Sequence, residues 1–325
     1  MMNPNLKHLV AACAAVLACT AAAAQDFPAR QVTVVVGYAA GGAVDAVARM
    51  VAQKLGDALG KPVVVDNKAG ASGNIGAQFV ARAQPDGYTL LMAPVTTYAM
   101  NSVLYPTTAG YQLDKDFAGI SLVGSLPLVL VVNETVSAQS VPELVKAAKA
   151  KPGSLDYGSS GNGSIEHVAG EMFKQQAGIS MVHIPYRGAA PAIIDLMAGQ
   201  LNLMFATVPT AVANFKSGKL RPLAVTTPER IGALRDVPTA REAGYPGFEV
   251  ASSYALLAPA ATPRPVVQRL NQEVAKILQM PDVQARFQAL GIERVSSTPE
   301  EATQRLGQEL AKWGKVIKDS AIKAD

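Results

Sequence analysis

Residues 32–59, VTVVVGYAAGGAVDAVARMVAQKLGDAL, constrain the chain most, because they read in order as strand, glycine loop and helix. Val32, Val34 and Val36 alternate with Thr33 and Val35 in a β-branched run that suits a largely buried strand. Gly37 ends the run, and Tyr38-Ala39-Ala40-Gly41-Gly42 turns the chain. From Val44 the apolar residues recur at helical spacing (Val44, Val47, Ala48, Val51, Leu55, Leu59) until Gly60. A helix thus starts at the end of a strand behind small residues that leave its first N–H groups bare. That is an anion site in outline.

The unit recurs. Val63-Val64-Val65 reads as a strand, 66–73 as a glycine-rich loop, 75–83 as a helix and Pro85-Asp86-Gly87 as a turn. A strand over 88–92 ends in the polar run Thr96-Thr97-Tyr98. Residues 126–133 form an apolar strand, and Ser140-Val141-Pro142-Glu143 is a capping box opening a helix to Ala150. A second strand, small-polar-loop and helix unit follows. Leu155-Asp156-Tyr157 leads into the Gly/Ser loop 158–164, then a helix with Ile165, Val168, Ala169, Met172 and Phe173 on one face. Strands over 181–184, 201–205 and 220–226 surround a helix over 191–198. After prolines at 238, 246, 259, 263 and 265 the pattern predicts helices only, over 266–279, over 282–290 and, after Ser297-Thr298-Pro299-Glu300, to about Asp319, packing back onto the first lobe. The alternation implies an α/β chain with two lobes, mostly parallel sheets flanked by helices, and ligands beyond the C-terminal strand ends.

Residues 1–24 read as a secretory signal: Lys7 and His8, an apolar alanine-rich run, and Ala22-Ala23-Ala24 as the cleavage site. Val16-Leu17-Ala18-Cys19 also fits a lipidation box, although the alanine site is the better one. Both cysteines, Cys13 and Cys19, lie in this segment, so a chain cut after Ala24 has no disulfide, thiol chemistry or cysteine-bound metal. Such a chain carries 28 Lys and Arg against 25 Asp and Glu, with no basic run, which argues against nucleic-acid binding.

The motifs exclude more than they assign. Neither glycine loop, 70–76 or 158–164, matches a P-loop or a dinucleotide fingerprint, and no cofactor is expected. Ser159 and Ser160 raise a secreted serine hydrolase acting on carboxylic esters, with His167 as base, but Gly158-Ser159-Ser160-Gly161 is not a nucleophile elbow. His183 sits in a strand pattern and reads as structural. His167 with Glu171 gives two metal ligands and no third. Asp45 complements the first helix start and can pair with Arg49. Arg187 is the candidate cleft cation, and Tyr38, Tyr98, Tyr186 and Tyr254 are candidate wall residues.

Several stretches together resemble the substrate-binding proteins of tripartite tricarboxylate transporters, the Bug family. They are 37–49 (GYAAGGAVDAVAR), 64–77 (VVDNKAGASGNIGA), 85–90, 157–171, 183–200, 218–225, 236–239 and 242–247, in order over nearly the whole mature chain. The resemblance implies a two-lobed periplasmic-binding-protein fold of type II, with lobe one at 25–125 plus 251–325, lobe two at 126–250 and two crossovers as hinge. It implies a monomer in the periplasm that closes on a small organic carboxylate and hands it to the permease subunits of a tripartite transporter, without catalysis. A sensor partner in place of the permease would share the binding step. Carried onto this chain, the family's ligand loops supply Tyr38, Ala40, Gly41, Gly42, Asp45, Ser72, Asn74, Thr96, Thr97, Ser159, Ser160, Asn162, Ser164, His167, Tyr186, Arg187 and Ala206. Two departures stand out: Val44 replaces a hydroxyl residue and Ala206 an aspartate common in the family. Both point to a less polar cleft and open the way to an aromatic acid.

Overall fold

The structure, a computed structural model, describes residues 27–319. The signal segment, its cleavage site and Cys19 lie outside the described residues.

β1 (Val32–Val36) runs into α1 (Ala43–Leu59), which buries Val44, Val47, Ala48, Val51 and Leu55. Gly60 stops the helix at φ 65°, a left-handed cap that glycine adopts without penalty. β2 (Val63–Asn67) and β3 (Thr89–Pro94) pair with β1 on either side, both parallel, with α2 (Asn74–Ala81) between them in sequence. β3 passes without a loop into α3 (Val95–Leu104). The run Thr96-Thr97-Tyr98 is therefore a first helical turn and not a strand end.

β4 (Phe117–Asn133) is a 17-residue strand that serves both lobes. Over residues 117–127 it pairs with β9 (Ala251–Pro259), which also pairs with β3. Over residues 128–133 it pairs with β7 (Leu203–Thr207) and β8 (Leu220–Val225). The second lobe adds α4 (Val141–Ala150), β5 (Asp156–Ser159), α5 (Ile165–Ala177), β6 (Val182–Pro185), α6 (Ala189–Met197) and α7 (Val208–Asn214). Its strand order is β6-β5-β7-β4, with β8 on the far side of β4. The chain closes with α8 (Arg264–Leu278), α9 (Pro281–Ala289), β10 (Glu293–Arg294) and α10 (Pro299–Asp319).

Two expectations change. The sheets are mixed: each is parallel on one flank, while β4 and β9 run antiparallel at the centre. A chain that crosses between lobes and later returns must place an outgoing strand beside an incoming one. The C-terminal part also has strands. β9, ASSYALLAP, has no β-branched residue to announce it, yet it fills the gap between β3 and β4 and is buried along most of its length. α10 packs on α3 and β4, as expected for a tail returning to lobe one. Its Glu309 accepts hydrogen bonds from Thr96 Oγ1 and Trp313 Nε1, both at 2.9 Å.

Along β4 the side chains alternate into separate cores, Leu128 and Leu130 on one face and Val129 and Val131 on the other. Where β4 changes partners, Thr226 joins the two crossovers. Its hydroxyl accepts the Leu128 N–H at 2.9 Å and lies 2.6 Å from the Val250 carbonyl. Its own N–H donates to Leu128 O at 3.0 Å. Thr226→Val keeps the shape and strands the Leu128 N–H. The expected loss is about 1–3 kcal/mol, read as a lower urea midpoint at unchanged slope; an unchanged midpoint would show that the hydroxyl is dispensable.

Candidate ligand-binding site

A cavity of about 20 Å³ lies between the lobes, room for about one water molecule. Lobe one contributes Tyr38, Gly42, Ala43, Val44, Pro94, Thr97, Ser252 and Tyr254. Lobe two contributes Ser160, Ile165, Glu166, Ala189 and Thr207. Most of these residues stand at helix starts. Gly42 to Val44 open α1, Pro94 and Thr97 open α3, Ile165 and Glu166 open α5, Ala189 opens α6 and Thr207 precedes α7. The starts of α1, α3, α6 and α7 have no side-chain cap, whereas Ser164 caps α5 by accepting the His167 N–H at 3.3 Å. Helix starts from both lobes thus turn their partial positive charge on one small volume. No lysine, arginine or histidine is among the described residues lining it.

The loop before α1 is held from beneath. Asp45 Oδ2 accepts from Gly41 N–H at 3.0 Å and from Arg49 Nε at 2.9 Å. Asn67 Nδ2 donates to Asp45 Oδ1 and to the Tyr38 carbonyl, at 2.9 and 3.0 Å. Desolvation alone would raise the Asp45 pKa, but Arg49, the Gly41 N–H and Asn67 outweigh it and hold the carboxyl below its ordinary value. Asp45 therefore shapes the loop and does not line the cavity.

The loop 70–73 is strained: Ala71 and Ser72 sit at φ 47° and 51°, between two glycines that also have positive φ. Each strained residue costs on the order of 1–3 kcal/mol. The Tyr38 hydroxyl and Asn101 Nδ2 offset this by donating to Ser72 O at 2.7 and 3.2 Å, and Tyr98 OH donates to Gly73 O at 3.3 Å. Held this way, Ser72 Oγ donates across the lobes to the Asn162 carbonyl. A second interlobe bond runs from Ala39 N–H to Arg187 O at 3.3 Å. Gly188, at φ 140°, permits it, since a Cβ there would stand 3.2 Å from Ala39 N.

Of the residues expected from sequence, Tyr38, Gly42, Thr97 and Ser160 meet at the cavity. Ser72, Asn74, Asn162, Tyr186 and Arg187 line a separate interlobe opening of about 450 Å³. There Arg187 is exposed and the Tyr186 hydroxyl donates to Asp195 at 2.8 Å, its pKa pushed up to about 12 by burial and by that carboxylate.

The other expected residues are not among those lining either opening. Ala40 and Gly41 are exposed and do not line the cavity, although a Cβ on Gly41 would stand 3.7 Å from Ala190 of lobe two. Thr96 is committed to Glu309, and Ser164 to its helix cap. Ala206 faces the apolar core of lobe two because Phe205 and Thr207, its neighbours in a strand, take the opposite face. Its lack of a carboxylate therefore does not make the cavity less polar, whereas Val44 does line it. His167 is buried, takes the Gly163 N–H on Nδ1 at 3.1 Å and stacks on His183 at 4.1 Å. Ser159 is fully buried, 2.7 Å from His183 Nε2 and tied to Gly161, and neither Ser159 nor His183 lines the cavity. Glu171, the other metal candidate, accepts from Tyr157 and Lys174.

Sequence reasoning missed Glu166, Thr207 and Ser252. Glu166 is 4% exposed and accepts the Ser160 hydroxyl at 2.7 Å. In sequence it is an ordinary acidic residue in a first helical turn, and nothing local reveals its depth. Burial raises its pKa above the usual 4.5, against the hydrogen bonds from Ser160 and Ser164 that lower it. Folding therefore favours its protonated form. The stability associated with that proton is complete below the unfolded pKa and is lost as pH rises through the folded one. Glu166→Gln, which cannot ionise, should match the parent in thermal midpoint near pH 4 and exceed it at pH 8. A gap that does not widen with pH would show that burial leaves this carboxyl unaffected.

Comparison with known proteins places this geometry. The chain matches the profile of the tripartite tricarboxylate transporter family receptor over residues 47–322. It is 34% identical to the periplasmic binding protein BugD, with a TM-score of 0.88, covering 92% of this chain and 100% of that one. An R. palustris protein solved with adipate is 36% identical at a TM-score of 0.88, over 92% of this chain and 99% of that one. MatC from Rhodopseudomonas palustris, with bound malate, is 32% identical at 0.84, over 90% and 100%. Strand pairing, helix starts and family profile agree: the chain belongs to the tripartite tricarboxylate transporter receptor family, with the Bug-type binding proteins.

Proposed function

We propose that this protein captures a small carboxylate between its lobes and delivers it to the permease of a tripartite transporter. The observation that carries the reading is the set of helix starts from both lobes around one cavity without a basic side chain. Backbone N–H groups and the hydroxyls of Thr97, Thr207 and Ser252 can bind a carboxylate only when both lobes are present. Adipate and malate in two relatives support the ligand class.

Capture is a closure. The lobes, 27–127 with 251–319 and 128–250, move about the paired crossovers at Leu128 and Val250. Closed, they leave about 20 Å³, so a ligand enters by parting them and re-forming contacts around itself. The closed surface is what the permease reads. No step requires a nucleophile, and neither Ser159 nor His183 lines the cavity. The protein works as a single chain in the periplasm, released from its signal after Ala24. Among the described residues no helix is long and apolar enough to cross a membrane.

A thermal-shift panel of mono-, di- and tricarboxylates, amino acids and aromatic acids, followed by calorimetry, should give stoichiometric binding and no product. A panel without a single hit overturns the reading. Ser72→Ala removes one interlobe bond and should weaken binding by about 0.5–1.5 kcal/mol, a roughly two- to tenfold rise in Kd. It should also enlarge the scattering radius of the free protein. An unchanged Kd and radius would remove Ser72 from closure.

A further inference from the structure

The helix starts account for a carboxylate, but they do not account for Glu166. This side chain brings an acid into a cavity shaped for an anion, and no lysine, arginine or histidine lines that cavity to neutralise it. It stands in the first turn of α5, whose start favours the ionised form without outweighing burial, so a cation brought beside it would restore the charge. Ser160 Oγ–H, at 2.7 Å, orients it. The other four helix starts, those of α1, α3, α6 and α7, belong to other parts of the wall. The wall therefore brings together helix starts that attract negative charge and one acid that a cation would hold ionised.

Resting on the carboxylate-binding reading, we propose that Glu166 is the specificity residue of the site and selects a zwitterion: a small amino carboxylate whose ammonium group meets Glu166 while its carboxylate meets the uncapped helix starts. The charges then balance inside the closed lobes. A dicarboxylate of the same size would set its second carboxylate against Glu166, in a space that closure strips of water. A hydroxy acid can donate one hydrogen bond to Glu166 but brings no charge to offset it. The acidic side chain thus works as attraction for one ligand class and as repulsion for the other.

The test uses the mature protein and matched ligands in calorimetry. ω-Amino acids are paired with dicarboxylates of the same methylene count, from 3-aminopropanoate and succinate to 5-aminopentanoate and adipate. α-Amino acids are paired with their hydroxy counterparts, alanine with lactate and aspartate with malate. In the pairs that bind, the parent protein should prefer the ammonium member by roughly tenfold or more, and Glu166→Gln should lose most of that preference. The parent protein alone decides the sign, so the proposal stays testable if the variant folds poorly. A preference for dicarboxylates or hydroxy acids in every binding pair overturns it, as does a folded Glu166→Gln with unaltered selectivity; both outcomes leave carboxylate capture standing. Binding of no carboxylate to either protein overturns the capture reading and this proposal together.

Discussion

The first N–H groups of an α-helix have no acceptor within the helix, and here that deficit is gathered in one place. Helix starts from both lobes end at a cavity of about 20 Å³, and four of those helices begin without a side-chain cap. Bringing partial charges of one sign together and then excluding water is unfavourable unless something negative lies among them. The arrangement follows from the sheets. Parallel strands deliver their C-terminal ends to the same edge, and the helices that follow start there. Once each lobe holds strand-to-helix units facing the other lobe, the small cavity between them gathers helix starts, with no lysine, arginine or histidine among the described residues that line it.

Much of this was legible in sequence, for identifiable reasons. Val32 to Leu59 announces itself by a change of period, from two to 3.6, across a glycine turn. The unit at Asp156–Ser159 and Ile165–Ala177 does the same. α3 was hidden because β3 enters it with no loop, leaving no turn residues to mark the change. β9 was hidden because its residues have little strand preference and its place is set by partners more than a hundred residues away. Within the site, loop membership was readable and side-chain direction was not. Ala206 and Thr207 are adjacent, yet one lies in the core and the other in the cavity wall. Thr96 and Thr97 divide in the same way, one bound to Glu309 and one facing the cavity.

The groups that resemble catalytic machinery hold turns in place. Ser159 closes on Gly161 and His183, His167 takes the Gly163 N–H, and the two imidazoles stack with Tyr157 alongside. They fix the loop that carries Ser160 and Asn162 to the lobe interface. The same division holds in lobe one, where Asp45, Arg49 and Asn67 brace the loop of Tyr38 and Gly42 from outside the cavity. Polar side chains in these loops place backbone around the cavity, and loops of that kind carry little residue-type signature.

Closure itself rests on few contacts. The two interlobe hydrogen bonds described here, from Ala39 to Arg187 and from Ser72 to Asn162, contribute about 1 kcal/mol each. Against them stands the cost of desolvating the uncapped helix starts. A ligand that binds only between both lobes can decide between open and closed forms. A tighter latch would trap the empty protein closed; a looser one would spend the ligand's binding energy on closing. The continuous strand β4 and the Thr226 stitch keep the lobes in register through the movement, so the energy of capture is concentrated at the one cavity where the helix starts meet.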